Sequence, residues 1–227
     1  MLQKGNMYPG VKTWNPLAGK CLHGCTYCST NSLMRYPGVM AKYSGTLRLD
    51  DNALFKNLGK GNTYFVCAQN DLFADEAPLN IINDIIHYCH KYPNNKYLFQ
   101  TKNPHRFQLN YIPQGSILCT TIETNRWYEQ MGNAPVPGER AQGMHTIANP
   151  NIWDYEKQVT IEPIMDFDLK EMVELIEYCT PNKVNIGADS KNNHLPEPSK
   201  EKLLALIDEL QKFTIIDRKT NLSRLLK

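Results

Sequence analysis

Cys21-Leu22-His23-Gly24-Cys25-Thr26-Tyr27-Cys28 sets three thiols within eight residues, early in a chain of 227. Three thiolates in a C-x3-C-x2-C run can hold three irons of a four-iron cluster and leave the fourth without a protein ligand. A substrate or cosubstrate can coordinate that open iron, so it is a place for chemistry. An electron-transfer ferredoxin would supply a fourth cysteine close by, and the next here is Cys67. Zinc is the rival, but it wants four tetrahedral ligands, often as two C-x2-C pairs. There is one triplet and no second pair, and His23 would have to fold back into the sphere of its own neighbours. The cluster is the better reading.

Outward from the triplet, short β-rich runs alternate with helical patterns, the signature of a parallel α/β fold. A first strand ends near Val11 to Asn15 and leads directly into the cysteine loop. Tyr64 to Ala68 is an apolar run suited to a buried strand. Leu79, Ile82, Ile85, Ile86 and Cys89 then recur at helical spacing until Pro93-Asn94-Asn95 stops them. Lys96 to Thr101 and Ser116 to Ile122 read as strands, the second after a Pro-Gln-Gly turn. Residues 125 to 150, with Gly132, Pro135, Pro137 and Gly138, read as a long loop leading into a short helix.

Gln158 to Ile161 is the next strand, and Asp168 caps a helix with Leu169, Met172, Val173, Ile176 and Cys179 on one face. Lys183 to Ile186 is a strand ending at Gly187. Ser199 starts a helix carrying Leu203, Leu204, Ile207 and Leu210, and Phe213 to Ile216 is a last short strand. About six strand–helix units are too few for a closed eight-stranded barrel and suit an open one.

Composition bounds the rest. At 41% hydrophobic, the chain can bury a real core, and one domain is the default. A net charge of +2 gives no strong basic field for nucleic acid. No long apolar run opens the sequence, so neither a signal peptide nor a membrane partner is expected. Seven scattered cysteines suit a reducing cytoplasm better than a disulfide framework.

The segment from Asn15-Pro16 through Cys28 resembles the signature of radical S-adenosylmethionine (SAM) enzymes. It is especially similar to the spore photoproduct lyase-like branch, where an Asn-Pro and a His-Gly-Cys-x-Tyr-Cys are common. Asn70-Asp71-Leu72-Phe73, Gln100-Thr101-Lys102 and Ile161-Glu162-Pro163 also resemble landmarks of an uncharacterised phage-associated family, in which the interval before the second cysteine is often longer. The resemblance implies a partial (β/α)6 TIM-like barrel of the radical SAM type, here one core domain over 1–227 with a short C-terminal extension. It implies a [4Fe-4S] cluster on Cys21, Cys25 and Cys28, whose open iron chelates SAM. Reductive cleavage of SAM then yields a 5′-deoxyadenosyl radical that abstracts hydrogen from substrate. An electron donor such as a flavodoxin or ferredoxin is implied as a partner.

In such a barrel the C-terminal strand ends face the site. Gln69, Asn70 and Asp71 there can accept the SAM ammonium, or simply cap a turn. Lys102 can pair with the SAM carboxylate, or lie solvated at the surface. Thr121 and Glu123 can bond ribose hydroxyls, although Glu123 can equally pair with Arg126. Glu162 is the candidate for a substrate-side or SAM-side carboxylate. Gly187 can admit adenine or serve as a turn glycine. Tyr27 stands where the superfamily places an aromatic near adenine, and it can also shield the cluster.

Cys89 and Cys179 fall on apolar helix faces and read as core. Cys67 and Cys119 lie inside strands, as small buried hydrophobes or as hydrogen-atom donors. His87, His90, His105, His145 and His194 share no metal-ligand spacing. The substrate stays open between nucleic acid, peptide and small metabolite. Trp127, Tyr128 and Trp153 can stack on bases, and Arg218, Lys219, Arg224 and Lys227 make the tail mildly basic. The alternative to an enzyme is a non-catalytic iron–sulfur or zinc module.

Overall fold

A computed structural model describes residues 8–109, 111–147 and 155–227. Its elements run β1 (Lys12–Trp14), β2 (Leu17–Ala18), α1 (Ser29–Leu33), α2 (Pro37–Lys42), β3 (Arg48–Leu49), α3 (Asp51–Leu54), β4 (Thr63–Val66) and α4 (Leu79–His90). Then follow β5 (Lys96–Thr101), β6 (Ile117–Thr121), α5 (Pro137–Thr146), β7 (Glu156–Ile161), α6 (Leu169–Tyr178), β8 (Lys183–Ile186), α7 (Lys200–Leu210) and β9 (Ile215–Arg218).

Seven strands pair in parallel in the order β1-β4-β5-β6-β7-β8-β9. One side chain shows how this sheet curls. The Tyr8 hydroxyl donates to Gln100 Oε1 at 2.7 Å and lies 2.9 Å from Thr160 Oγ1 and 3.6 Å from Cys119 Sγ. Its ring packs edge-on against Phe65, and Lys219 Nζ sits 4.4 Å from the ring centre. These partners stand on β4, β5, β6 and β7 and just past β9. In a flat sheet β4 and β9 would lie about 24 Å apart, at about 4.8 Å per strand. The sheet therefore wraps around Tyr8, while β1 and β9 remain unpaired edges. This is the open, partial TIM-like barrel the sequence implies, and its seven strands are the seven read from the sequence, the last one shifted.

The outer face of the barrel makes the main core. Ile82, Ile85, Ile86 and Cys89 of α4, Met172 and Ile176 of α6, and Leu203, Leu206, Ile207 and Leu210 of α7 are buried in one cluster with the outward strand residues. The apolar stripes at helical spacing thus face the sheet, with two exceptions. Leu79 and Leu204, read onto them, are exposed, and Leu206 takes the inward place on α7. Ser199 caps α7 by accepting the Lys202 amide at 3.3 Å.

Four local expectations change. Residues 125–150 contain a ten-residue helix, α5, which begins at Pro137 because proline suits the first helical turn. The last strand is Ile215–Arg218, two residues later than read, because Phe213 closes the turn after α7. Asp168 precedes α6 but gives its carboxylate to Arg126 instead of to a helix amide. Between β1 and β4 the chain also inserts a small antiparallel ladder, β2 with β3, and three short helices that the periodicity did not reveal. Trp153 lies outside the described residues. Among those residues no helix is long and apolar enough to cross a membrane.

Phe99, 1% exposed, fills the layer beside Phe73 with ring centres 5.9 Å apart. Phe99→Ala is expected to lower unfolding free energy by about 3–5 kcal/mol, read from the urea midpoint at an unchanged slope.

Candidate functional site

A cavity of about 740 Å³ opens at the C-terminal ends of the strands. Cys21, Cys25 and Cys28 line it together with Tyr27, Lys102, Thr121 and Glu162. The cysteine loop that forms one wall is held at both sides. On the outer side, Gly19 donates its amide to Lys42 O at 2.8 Å and Lys20 to Gly45 O at 2.9 Å. Gly19 has φ +101°, and a Cβ there would meet Thr46 O at 2.3 Å, so the ladder needs glycine. On the inner side, Thr26 N–H donates to Gln130 O at 3.0 Å and Asn133 N–H to His23 O at 2.7 Å. Gly132, with φ +62°, lets these two segments touch.

His23 is buried and bonds Asp71 Oδ2 at 2.8 Å. The same oxygen accepts the Lys102 amide at 2.8 Å, while Asp71 Oδ1 accepts the Phe73 amide at 2.9 Å. Burial pushes the Asp71 carboxyl up, but His23 and these amides outweigh it and hold the group below the usual range. Asn70 donates to Gly19 O at 2.8 Å and accepts the Asp71 amide at 3.0 Å. Gln69 is bonded by Thr30. Asn70 and Asp71, expected to receive an ammonium, are thus engaged in fastening the cysteine loop to the end of β4.

Lys102, just past β5, turns inward. Its Nζ lies 2.6 Å from Glu123 Oε1 and donates to Tyr27 Oη at 2.7 Å and Cys25 Sγ at 3.2 Å. Tyr27 donates to Glu123 Oε1 at 2.6 Å, and Arg140 Nη1 donates to Glu123 Oε2 at 2.7 Å. Glu123 and Arg140 are both fully buried. Burial alone would raise the Glu123 carboxyl; Lys102 and Arg140 reverse that and bring it down to about 2. Burial and the neighbouring carboxylate push the Tyr27 phenol far up, so it stays a neutral donor. Glu123 does not pair with Arg126, which bonds Asp166 at 2.5 Å and Asp168 at 2.6 Å. Both Glu123 oxygens are occupied, which leaves it as the support for Lys102 and Tyr27.

On the opposite wall, Thr121 Oγ1 accepts from Gln100 at 2.8 Å. Glu162 Oε1 accepts from Asn221 at 2.9 Å, and its Oε2 is buried without a partner. Burial raises this carboxyl above its ordinary value. A Cβ at Gly187 would lie 2.5 Å from the Glu162 carboxyl carbon. Gly187 therefore makes room for Glu162.

Of the other cysteines, Cys67 lines the cavity, and burial pushes its thiol up to about 12. Cys119 points into the barrel at Tyr8 and Thr160. Cys89 and Cys179 are core. The basic tail disperses: Lys219 is half-buried with its ammonium over the Tyr8 ring, and Arg224 pairs with Glu197. Trp127 is exposed. Arg140 and the His23–Asp71 pair were not anticipated. The available signal for Arg140 was its place on one stripe with Met144, four residues on, where an apolar residue would be usual.

Removing the Glu123 carboxylate leaves Arg140 and Lys102 buried without their counter-ion. Glu123→Ala is expected to cost about 3–5 kcal/mol, seen as a lowered thermal midpoint. Since its folded pKa lies below the ordinary 4.5, the stabilisation from Glu123 is complete above that value. It is lost as pH falls towards about 2, so the wild type should lose more stability than Glu123→Gln across that window in acid titrations followed by circular dichroism.

Solved structures share the fold, among them three of spore photoproduct lyase. A point mutant aligns with TM-score 0.57 at 10% identity, over 90% of this chain and 75% of that one. A double mutant with bound AdoMet and dinucleoside spore photoproduct aligns at 0.54 and 12%, over 88% and 61%. A complex with dinucleoside spore photoproduct aligns at 0.51 and 13%, over 94% and 64%. This chain thus spans less than two thirds of the lyase in the two complexes. No curated protein matches the sequence. The family model described as "Protein of unknown function (DUF5131)" matches residues 10–205, and the chain belongs to that family.

Proposed function

We propose that this protein is a radical SAM enzyme, with Cys21, Cys25 and Cys28 as ligands of a [4Fe-4S] cluster and SAM bound beside it. The observation that carries this reading is three free thiols lining one cavity at the C-terminal mouth of an open parallel barrel. The donor set fits. Among the described residues no three His, Cys, Asp or Glu side chains gather closely enough to hold a single metal ion. A four-iron cluster takes each thiolate at a different iron, so the thiols need a shared space and not a shared point. When bound, the cluster supplies the electron that cleaves SAM to a 5′-deoxyadenosyl radical.

The chain's own residues divide the work. His23, Asp71 and Asn70 fix the cysteine loop against β4. Tyr27 closes one side of the cavity, and Thr121 and Gln100 give it a hydrogen-bonding floor. Glu162, with one oxygen tied to Asn221, is the substrate-side carboxyl. Burial of Cys67 keeps its thiol neutral, a state suited to giving a hydrogen atom and unsuited to ligating iron. A dinucleoside occupies two of the similar lyase structures. A nucleic-acid substrate for this chain draws on that likeness, and the dispersed tail adds no basic patch to it. A flavodoxin or ferredoxin in the cytoplasm would supply electrons.

Anaerobic reconstitution with iron and sulfide, then SAM and dithionite, should release 5′-deoxyadenosine, measured by liquid chromatography. Cys25→Ala is expected to abolish that release. A cluster whose paramagnetic spectrum ignores added SAM, or full zinc occupancy alone, would favour a non-catalytic module instead.

A further inference from the structure

Lys102 is not a surface lysine waiting for a partner. Its side chain is 14% exposed, its ammonium lies 4.4 Å from the centre of the Tyr27 ring, and it donates to the Cys25 sulfur at 3.2 Å. Glu123 fixes it from below at 2.6 Å, and Arg140 holds the other Glu123 oxygen. The formal charges of Lys102 and Arg140 against Glu123 leave one net positive charge buried under one cysteine. The segment that carries the cysteines adds no opposing charge, since no Asp or Glu precedes Asp50. The nearby Asp71 carboxylate is already bonded to His23.

We propose that Lys102 is a positioning residue that raises the reduction potential of the cluster through the Cys25 sulfur. The proposal rests on the cluster reading above and goes beyond it by giving this chain a specific electrostatic control. One electron, from dithionite or from a flavodoxin-type donor, adds one negative charge to the cluster; no bond breaks and no proton is required. A hydrogen bond to a ligand sulfur and a positive charge in a poorly solvated site both favour the reduced form. Glu123 and Arg140 keep the ammonium on the sulfur and prevent it from swinging to solvent.

The test is an anaerobic redox titration followed by electron paramagnetic resonance on reconstituted wild type, Lys102→Met, Lys102→Gln and Lys102→Arg, without SAM. Lys102→Met should shift the midpoint to more negative potential, with the ratio of reduced to oxidised cluster at fixed potential falling about tenfold, equivalent to about 59 mV for one electron. Lys102→Gln, which keeps a donor without the charge and covers the case of a poorly folding Met variant, should shift the same way by less. Lys102→Arg should restore most of the wild-type value. Equal midpoints at equal iron content would overturn the proposal. So would unchanged midpoints with a weakened SAM affinity, which would assign the lysine to the SAM carboxylate. A wild type that assembles no cluster would remove the functional reading itself, a result separable from the other two by iron and sulfide analysis.

Discussion

A single carboxylate with no access to water, Glu123, ties the cysteine loop to the strand ends and to α5 on one side of the cavity. It lies just past β6, accepts from Arg140 of α5, meets Lys102 past β5, and accepts a hydrogen bond from the Tyr27 hydroxyl of the cysteine loop. Three other pieces of chain thus converge on its two oxygens. Such a group adds little net stability, because desolvation offsets most of the attraction. Its value is directional. Each partner must occupy one place, since any other leaves a charge buried alone. A loop as irregular as 21–28 has few backbone bonds of its own to fix it, and this network fixes it instead.

The barrel delivers those groups to one end. All seven strands run parallel, so their C-terminal ends share a rim, and Asp71, Lys102, Glu123 and Glu162 lie just beyond four of them. Below the rim, side chains alternate between the helices and the interior. The inward set along β5 to β8 includes the polar or thiol side chains Gln100, Cys119, Thr121, Thr160 and Asn185, with Leu98 and Ile117 packed against Tyr8. Tyr8 enters from outside the strand count and satisfies several of them at once. A closed eight-stranded barrel fills its centre with layers of branched apolar side chains, and in this open one a large amphipathic ring, Tyr8, occupies that place.

Much of this was legible in the sequence because its signals are local. The strands Lys96–Thr101 and Lys183–Ile186 match their reading residue for residue, and the α4 stripe faces the sheet as its spacing requires. The rim position of Lys102 and Glu162 followed from strand ends. The direction of each side chain did not. Lys102 turns under the cysteine loop because Glu123 is there, and Glu123 is fixed by Arg140, seventeen residues later in a stretch that reads as a long loop leading into a short helix. Asn70 and Asp71 bond a glycine carbonyl and a histidine some fifty residues back. Partners so far apart leave no periodic trace. The insert between β1 and β4 escaped for another reason: two-residue strands and helices of four to six residues are too short to show a period.

The two rim glutamates give the cavity its polarity. Glu123 lies between two cations and is held ionised far below its ordinary range, whereas Glu162, buried beside an amide, is pushed the other way. Carboxyls driven apart by their surroundings take different chemical parts. The ionised one is spent inside the protein, leaving a net positive charge beneath Cys25. The other keeps one oxygen without a protein partner, and the bare backbone of Gly187 gives it the room. The cysteine side of the cavity is therefore built to accept negative charge, as a reducible cluster and the SAM carboxylate would bring in the proposed reading. In the proposed reading, the β7–β8 side offers Glu162 as a hydrogen-bonding carboxyl to a substrate group bearing N–H or O–H.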